Sequence, residues 1–191
     1  MKAKTDFINS QSLAKRLHLP IPYGLPRNLA DWLERHVLAG IALEVGAELL
    51  PANRSALAWT GTDGELSGQR MVSLLCFSYA TGTYSSEVIC QRIAIDEVFD
   101  YLANHCRPNW PELQRFRRLQ RPIVREGLIR LFMAVWQLKA CQMDSRRAPF
   151  VDRPSPFWCP QLREELRNEF AGEAENRLRR AVQWDSASMD D

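Results

Sequence analysis

Seven arginines crowd into one short stretch of a 191-residue chain: Arg107, Arg115, Arg117, Arg118, Arg121, Arg125 and Arg130. Only Glu112 and Glu126 stand among them, which leaves a local excess of five positive charges. A guanidinium is planar and permanently charged, and its fork of N–H donors matches phosphate oxygens or the edge of guanine. Gln114 sits inside the run and has the donors and acceptors to read a base. The pattern leaves three readings open: contact with DNA, a solvated helix face carrying ion pairs within the chain, or attachment to an acidic protein surface. The chain's own C-terminal segment qualifies as the last, because residues 161–191 hold five arginines against eight acids.

Other chemistries fare worse. Two-metal phosphoryl transfer needs carboxylates that converge on ions about 4 Å apart, whereas Asp96, Glu97 and Asp100 read as the capped, solvated start of one short helix. A Cys–His nucleophile needs a thiolate oriented by its base, but side chains of helical neighbours such as His105 and Cys106 diverge by about 100°. His18 and His36 lack partners at metal-ligand spacing, and His36 reads as the edge of a core. The five cysteines are odd in number, widely spaced and free of any Cys-x-x-Cys pair. Buried free thiols are therefore expected rather than disulfides or a zinc knuckle. No glycine-rich phosphate loop is present. No catalytic residue, metal or cofactor is expected.

Composition sets the frame for these residues. With 46% hydrophobic and 25% charged residues the chain should close a core of its own. The net charge of +2 implies no nucleic-acid partner by itself, so the placement of charge carries the argument. No apolar stretch approaches the ~18 residues that would span a bilayer, and the first residues show no export signal. A soluble cytoplasmic protein with no membrane partner is expected.

Helical periodicity recurs along the chain and strand alternation is scarce. Residues 1–26 form an arm broken by prolines. A first helix is expected from Asn28, with Leu29, Trp32, Leu33, His36, Val37, Gly40 and Ile41 facing the core and Pro51 ending it. Residues 51–66 read as a loop. Ser67 should cap a helix that is apolar nearly all round and ends at Gly82, the buried centre of the domain. Ser85 or Ser86 caps the next helix and Asp96 another. Asn109 and Glu112 make a capping box with Pro111 in the first turn, which starts the arginine helix with Phe116 and Leu119 inward. Pro122 ends or kinks it before a longer apolar helix. Residues 144–160 read as a proline-rich linker. The final helix carries Leu162, Leu166, Phe170, Ala174, Leu178 and Val182 at a period of four, a stripe that drifts around the helix.

Three blocks together resemble a known family. Leu74-Leu-Cys-Phe-Ser-Tyr-Ala-Thr-Gly-Thr-Tyr-Ser-Ser86, then Phe99-Asp-Tyr-Leu-Ala-Asn104, then Arg107-Pro-Asn-Trp-Pro-Glu-Leu-Gln-Arg-Phe-Arg117 are similar, in order and spacing, to the N-terminal domain of bacterial insertion-sequence transposases. The type meant is the InsH-type (IS5/IS1182-like) domain. The likeness covers roughly residues 70–138. Asn109 replaces the usual Asp, Trp110 the usual His, Asp100 an Arg and Asn104 a Gly. The Asp-Asp-Glu catalytic core that follows this domain in full-length relatives has no counterpart after Leu138.

The resemblance implies a non-catalytic, DNA-binding domain in a bacterial, nucleoid-associated setting. The expected fold is an all-α orthogonal bundle over residues 27–143, with a helix-turn-helix-like unit and a C-terminal extension over residues 161–191, a helix from about Gln161 to Trp184 followed by a frayed acidic tail from Asp185. Arg107, Gln114, Arg115, Arg117, Arg118 and Arg121 are the candidate contacts to double-stranded DNA, with Ser85 and Ser86 as donors to its backbone. Four to six phosphate contacts would give a log–log salt slope of roughly −4 to −5. The alternatives are an interaction module that assembles with itself or a full-length transposase through residues 161–184, or a relic of a broken element.

Overall fold

The computed structural model describes residues 25–50, 66–147 and 160–187. Among them the chain is an all-helical bundle: a 3-10 turn at Leu29–Asp31, then α1 (Arg35–Leu49), α2 (Gly68–Ala80), α3 (Ser86–Ile95), α4 (Glu97–Leu102), α5 (Trp110–Leu119), α6 (Arg121–Arg147) and α7 (Pro160–Ala187). The expected loop at 51–66 falls almost wholly outside the described residues. So do most of the N-terminal arm, residues 148–159 of the expected linker, and the last four residues. The side chains of Cys141 and Leu162 are likewise outside them.

α2 is the centre. Ser67 Oγ accepts from the Arg70 N–H at 3.3 Å and caps it, and every residue from Met71 to Ala80 is buried. An apolar surface on all sides demands neighbours on all sides. Two glycines let those neighbours approach. A Cβ on Gly46 of α1 would lie 2.2 Å from Ser73 Oγ, and one on Gly127 of α6 would lie 2.7 Å from Cys76 Sγ. Phe99 of α4 meets Phe77 edge-on, with ring centroids 5.3 Å apart. Gly82 follows α2 at φ +80, the left-handed conformation that a glycine adopts without strain.

Two expected boundaries shift. Asn28 caps only the single 3-10 turn, through Ala30 N–H at 2.9 Å, and α1 starts afresh at Arg35. The break resets the helical phase. Leu38, Ala39, Ala42, Val45 and Gly46 are buried, while His36, Val37 and Gly40, expected to face or edge the core, are exposed. At the other end, residues 144–147 belong to α6 rather than to a linker, since no proline falls between Pro122, in the first turn, and Pro149.

The C-terminal helix is part of the core. Leu166, Phe170, Ala174, Leu178 and Ala181 of α7 are buried in the same cluster as α2 and α6, and Phe170 stands edge-on to Phe132 at 6.1 Å. The stripe keeps to one face by a step of three from Leu178 to Ala181, where a step of four would reach the exposed Val182. The apolar stripe from Leu166 to Ala181 thus packs inside the chain itself.

Arg177 lies on that buried side with no solvent exposure. Its Nη1 donates to the carbonyls of Tyr79 and Ala80, each at 2.9 Å, and its Nη2 donates to Pro26 O at 2.7 Å. Nε bonds Glu173 at 2.7 Å, and the guanidinium sits 5.0 Å from the centroid of Phe132. A cation thus closes the C-terminal end of α2, where unpaired carbonyls concentrate negative potential.

Candidate nucleic-acid interface

The segment that leads into α5 is tightly tied. Asn104 and His105 have left-handed backbones, φ 53 and φ 61. His105 Nδ1 lies 2.6 Å from Asp100. Arg107 pairs with the same carboxylate and donates to Ile93 O at 2.7 Å. Hydrogen bonds from His105 and Arg107 hold the Asp100 carboxyl below the usual carboxylate range. The capping box then forms as expected. Asn109 Oδ1 accepts from Glu112 N–H at 2.9 Å, and Glu112 Oε2 accepts from Asn109 N–H at 3.0 Å.

α5 presents its faces differently from the expectation. Leu113, Phe116 and Arg117 point inward, whereas Leu119, expected inside, is 61% exposed. The inner face is centred between Leu113 and Phe116, and at about 100° per residue Arg117 lies roughly 70° from that centre on the Leu113 side, whereas Leu119 lies roughly 90° from it on the other.

Arg117 is only 4% exposed. Its Nη2 donates to Asp185 Oδ2 at 2.6 Å and its Nη1 to the Tyr79 hydroxyl at 3.3 Å, while its buried Nε has no hydrogen-bond partner. Burial opposes its charge, but Tyr79 and Asp185 outweigh burial and hold the guanidinium above its ordinary pKa. Asp185 also accepts from the Ser86 N–H at 2.8 Å and from Ser86 Oγ at 2.7 Å. Ser85 caps α3 through Val88 N–H at 3.5 Å. Both serines are buried and occupied inside the fold.

Other members of the run meet acids on other helices or one turn away. Arg121 pairs with Glu175, which lies 3.7 Å from Arg125 as well. Arg130 pairs with Glu126 and Glu48, each at 3.1 Å. The excess of positive charge along residues 107–130 is thus answered partly by the acids of α7. Arg115 and Arg118 remain on the exposed face of α5, beside the half-buried Gln114 and the exposed Trp110. The structure places Gln114, Arg115 and Arg118 together on the outside, puts Arg117, Ser85 and Ser86 inside, and leaves Arg107 and Arg121 partly exposed in ion pairs.

Arg177 escaped the sequence reading, and Asp185, expected to begin a frayed tail, is instead a buried residue of α7, held there by Arg117 and Ser86. The signal was a charged residue falling in phase with an apolar stripe, as Arg177 and Asp185 do beside Ala174, Leu178 and Ala181. Cys76, Cys90 and Cys106 are free thiols; burial pushes Cys90 up to about 11 and Cys76 higher still. Among the described residues no group of His, Cys, Asp and Glu could hold a metal ion. No described helix is long and apolar enough to cross a membrane. Comparison with protein-family models, curated proteins and solved structures gives no match.

Proposed function

We propose that this chain is a DNA-binding domain of transposase type that recognises insertion-element DNA. The observation that carries the reading is the outer face of α5. It shows Trp110, Gln114, Arg115 and Arg118, and the helix's single acid, Glu112, is engaged in the capping box. A short capped helix with a cationic, acid-poor outer face can sit against a phosphate backbone or in a major groove. The left-handed Asn104 adds support. It stands where the resembled family has glycine, and asparagine is among the few residues that tolerate this backbone.

The contact surface is smaller than the full run of arginines. With Arg117 buried, two or three phosphate contacts remain, for a salt slope of about −2 to −3. Fluorescence anisotropy on duplexes enriched from a random library tests the proposal. Arg115→Ala combined with Arg118→Ala should weaken binding on the order of tenfold or more while the melting temperature holds. A flat salt dependence, or affinity indifferent to the double substitution, sinks it.

A further inference from the structure

We infer that the groove beside the start of α3 binds a nucleotide unit, a phosphate joined to a planar base. The groove measures about 530 Å³, and its walls include Arg27, Arg92, Arg180, Tyr84 and Trp184. That volume suits a small organic ligand. Among the described residues three guanidiniums line it and no carboxylate does. The neighbouring groove offers a contrast, because there Arg35 and Arg92 are matched by Asp96 and Glu97. Arg92 does have an acid nearby, Asp96 at 4.0 Å. Arg180 donates to the Tyr84 hydroxyl at 3.4 Å, with its guanidinium 6.0 Å from that ring's centroid, and also feels the charge of Glu173.

The aromatic component is equally distinct. Trp184 is 59% exposed, a large apolar surface left at the rim of a cationic groove. Tyr84 is held in place by stacking on the buried Tyr79, with centroids 6.2 Å apart. Phosphate alone gives an exposed indole nothing to do, and a base alone has no use for three guanidiniums. A nucleotide uses both, through forked hydrogen bonds to phosphate and stacking on the indole. Bases paired in a duplex are not free to stack there. The ligand is therefore a free nucleotide or the unpaired end of a strand. The inference does not depend on duplex binding by α5.

Isothermal titration of the full chain with deoxyadenosine monophosphate, deoxyadenosine, inorganic phosphate and a short 5′-phosphorylated single strand tests it. The monophosphate should bind on the order of tenfold or more tighter than either of its halves. Arg180→Gln and Trp184→Ala, both at exposed positions, should each weaken it by about tenfold with the melting temperature kept. A preference for the strand over the monophosphate assigns a strand end, and the reverse assigns a free nucleotide. Failure of both to bind, binding of inorganic phosphate as tight as that of the monophosphate, or affinity unmoved by the two variants overturns the inference. Duplex affinity, read in parallel, should not change in either variant.

Discussion

Arg117 and Asp185, 68 positions apart in sequence, meet at 2.6 Å inside the protein. The contact joins the arginine helix to the C-terminal helix, and Ser86 ties α3 to the same carboxylate. Removing the cation strips a buried carboxylate of the guanidinium that pairs with it. Arg117→Ala should therefore cost roughly 3–5 kcal/mol, whereas Arg118→Ala on the outer face should cost under about 0.5 kcal/mol. Urea unfolding of the two variants checks this. Equal midpoints would return Arg117 to the surface.

Arg177 shows the same dependence on guanidinium geometry. Lysine keeps the charge but cannot reach Tyr79, Ala80, Pro26 and Glu173 together, as one planar fork does. Arg177→Lys should destabilise by about 2–3 kcal/mol through carbonyls left without donors. Thermal unfolding of the variant measures it, and a wild-type melting temperature would contradict the capping role.

Glycines should divide by the space around them. Alanine at Gly46 or Gly127 would press within 3 Å of Ser73 and the Gln69 carbonyl, or of Cys76. Each substitution should cost roughly 1–3 kcal/mol or more. Gly172 lies inside α7, and a Cβ there would meet nothing within 4 Å, so Gly172→Ala should stabilise by about 0.5–1 kcal/mol. Opposite signs for the two groups are the expected outcome of denaturant titrations.

Tyr79 sets an alkaline limit. Burial, the largest cause, pushes its hydroxyl from 10.0 up to about 12, with Arg117 pulling the other way. The folded value lies above the unfolded one, so the contribution is fully present below about pH 10 and is lost as pH rises through about 12. The loss is on the order of 2 kcal/mol. Tyr79→Phe should be less stable at neutral pH, because Arg117 Nη1 loses an acceptor, yet should show a shallower decline across that alkaline window. Unfolding midpoints at several pH values decide the matter.

Caps and breakers were the most legible part of the chain. Ser67, Ser85, Asp96 and the Asn109–Glu112 box all act where local chemistry puts them, since a cap depends on residues within one turn. The phase of α1 was not legible, because Asn28 is a good cap for a turn that does not continue. The candidate site divided for the same reason. The spacing 114, 115, 118 marks an outer face, but no local rule says that Arg117 will find a carboxylate 68 residues later. The opposite charge of residues 161–191 hinted at such a match without naming the pair.

The bond from Arg177 to Pro26 spans 151 positions, and it has a consequence for how the molecule is made. While the polypeptide is still emerging from the ribosome, α2 is complete but its terminal carbonyls lack their cation and its flank lacks α7. Closure must wait until most of the chain has been translated. Contacts of such long range also slow folding and lengthen the time for which sticky surface is bare.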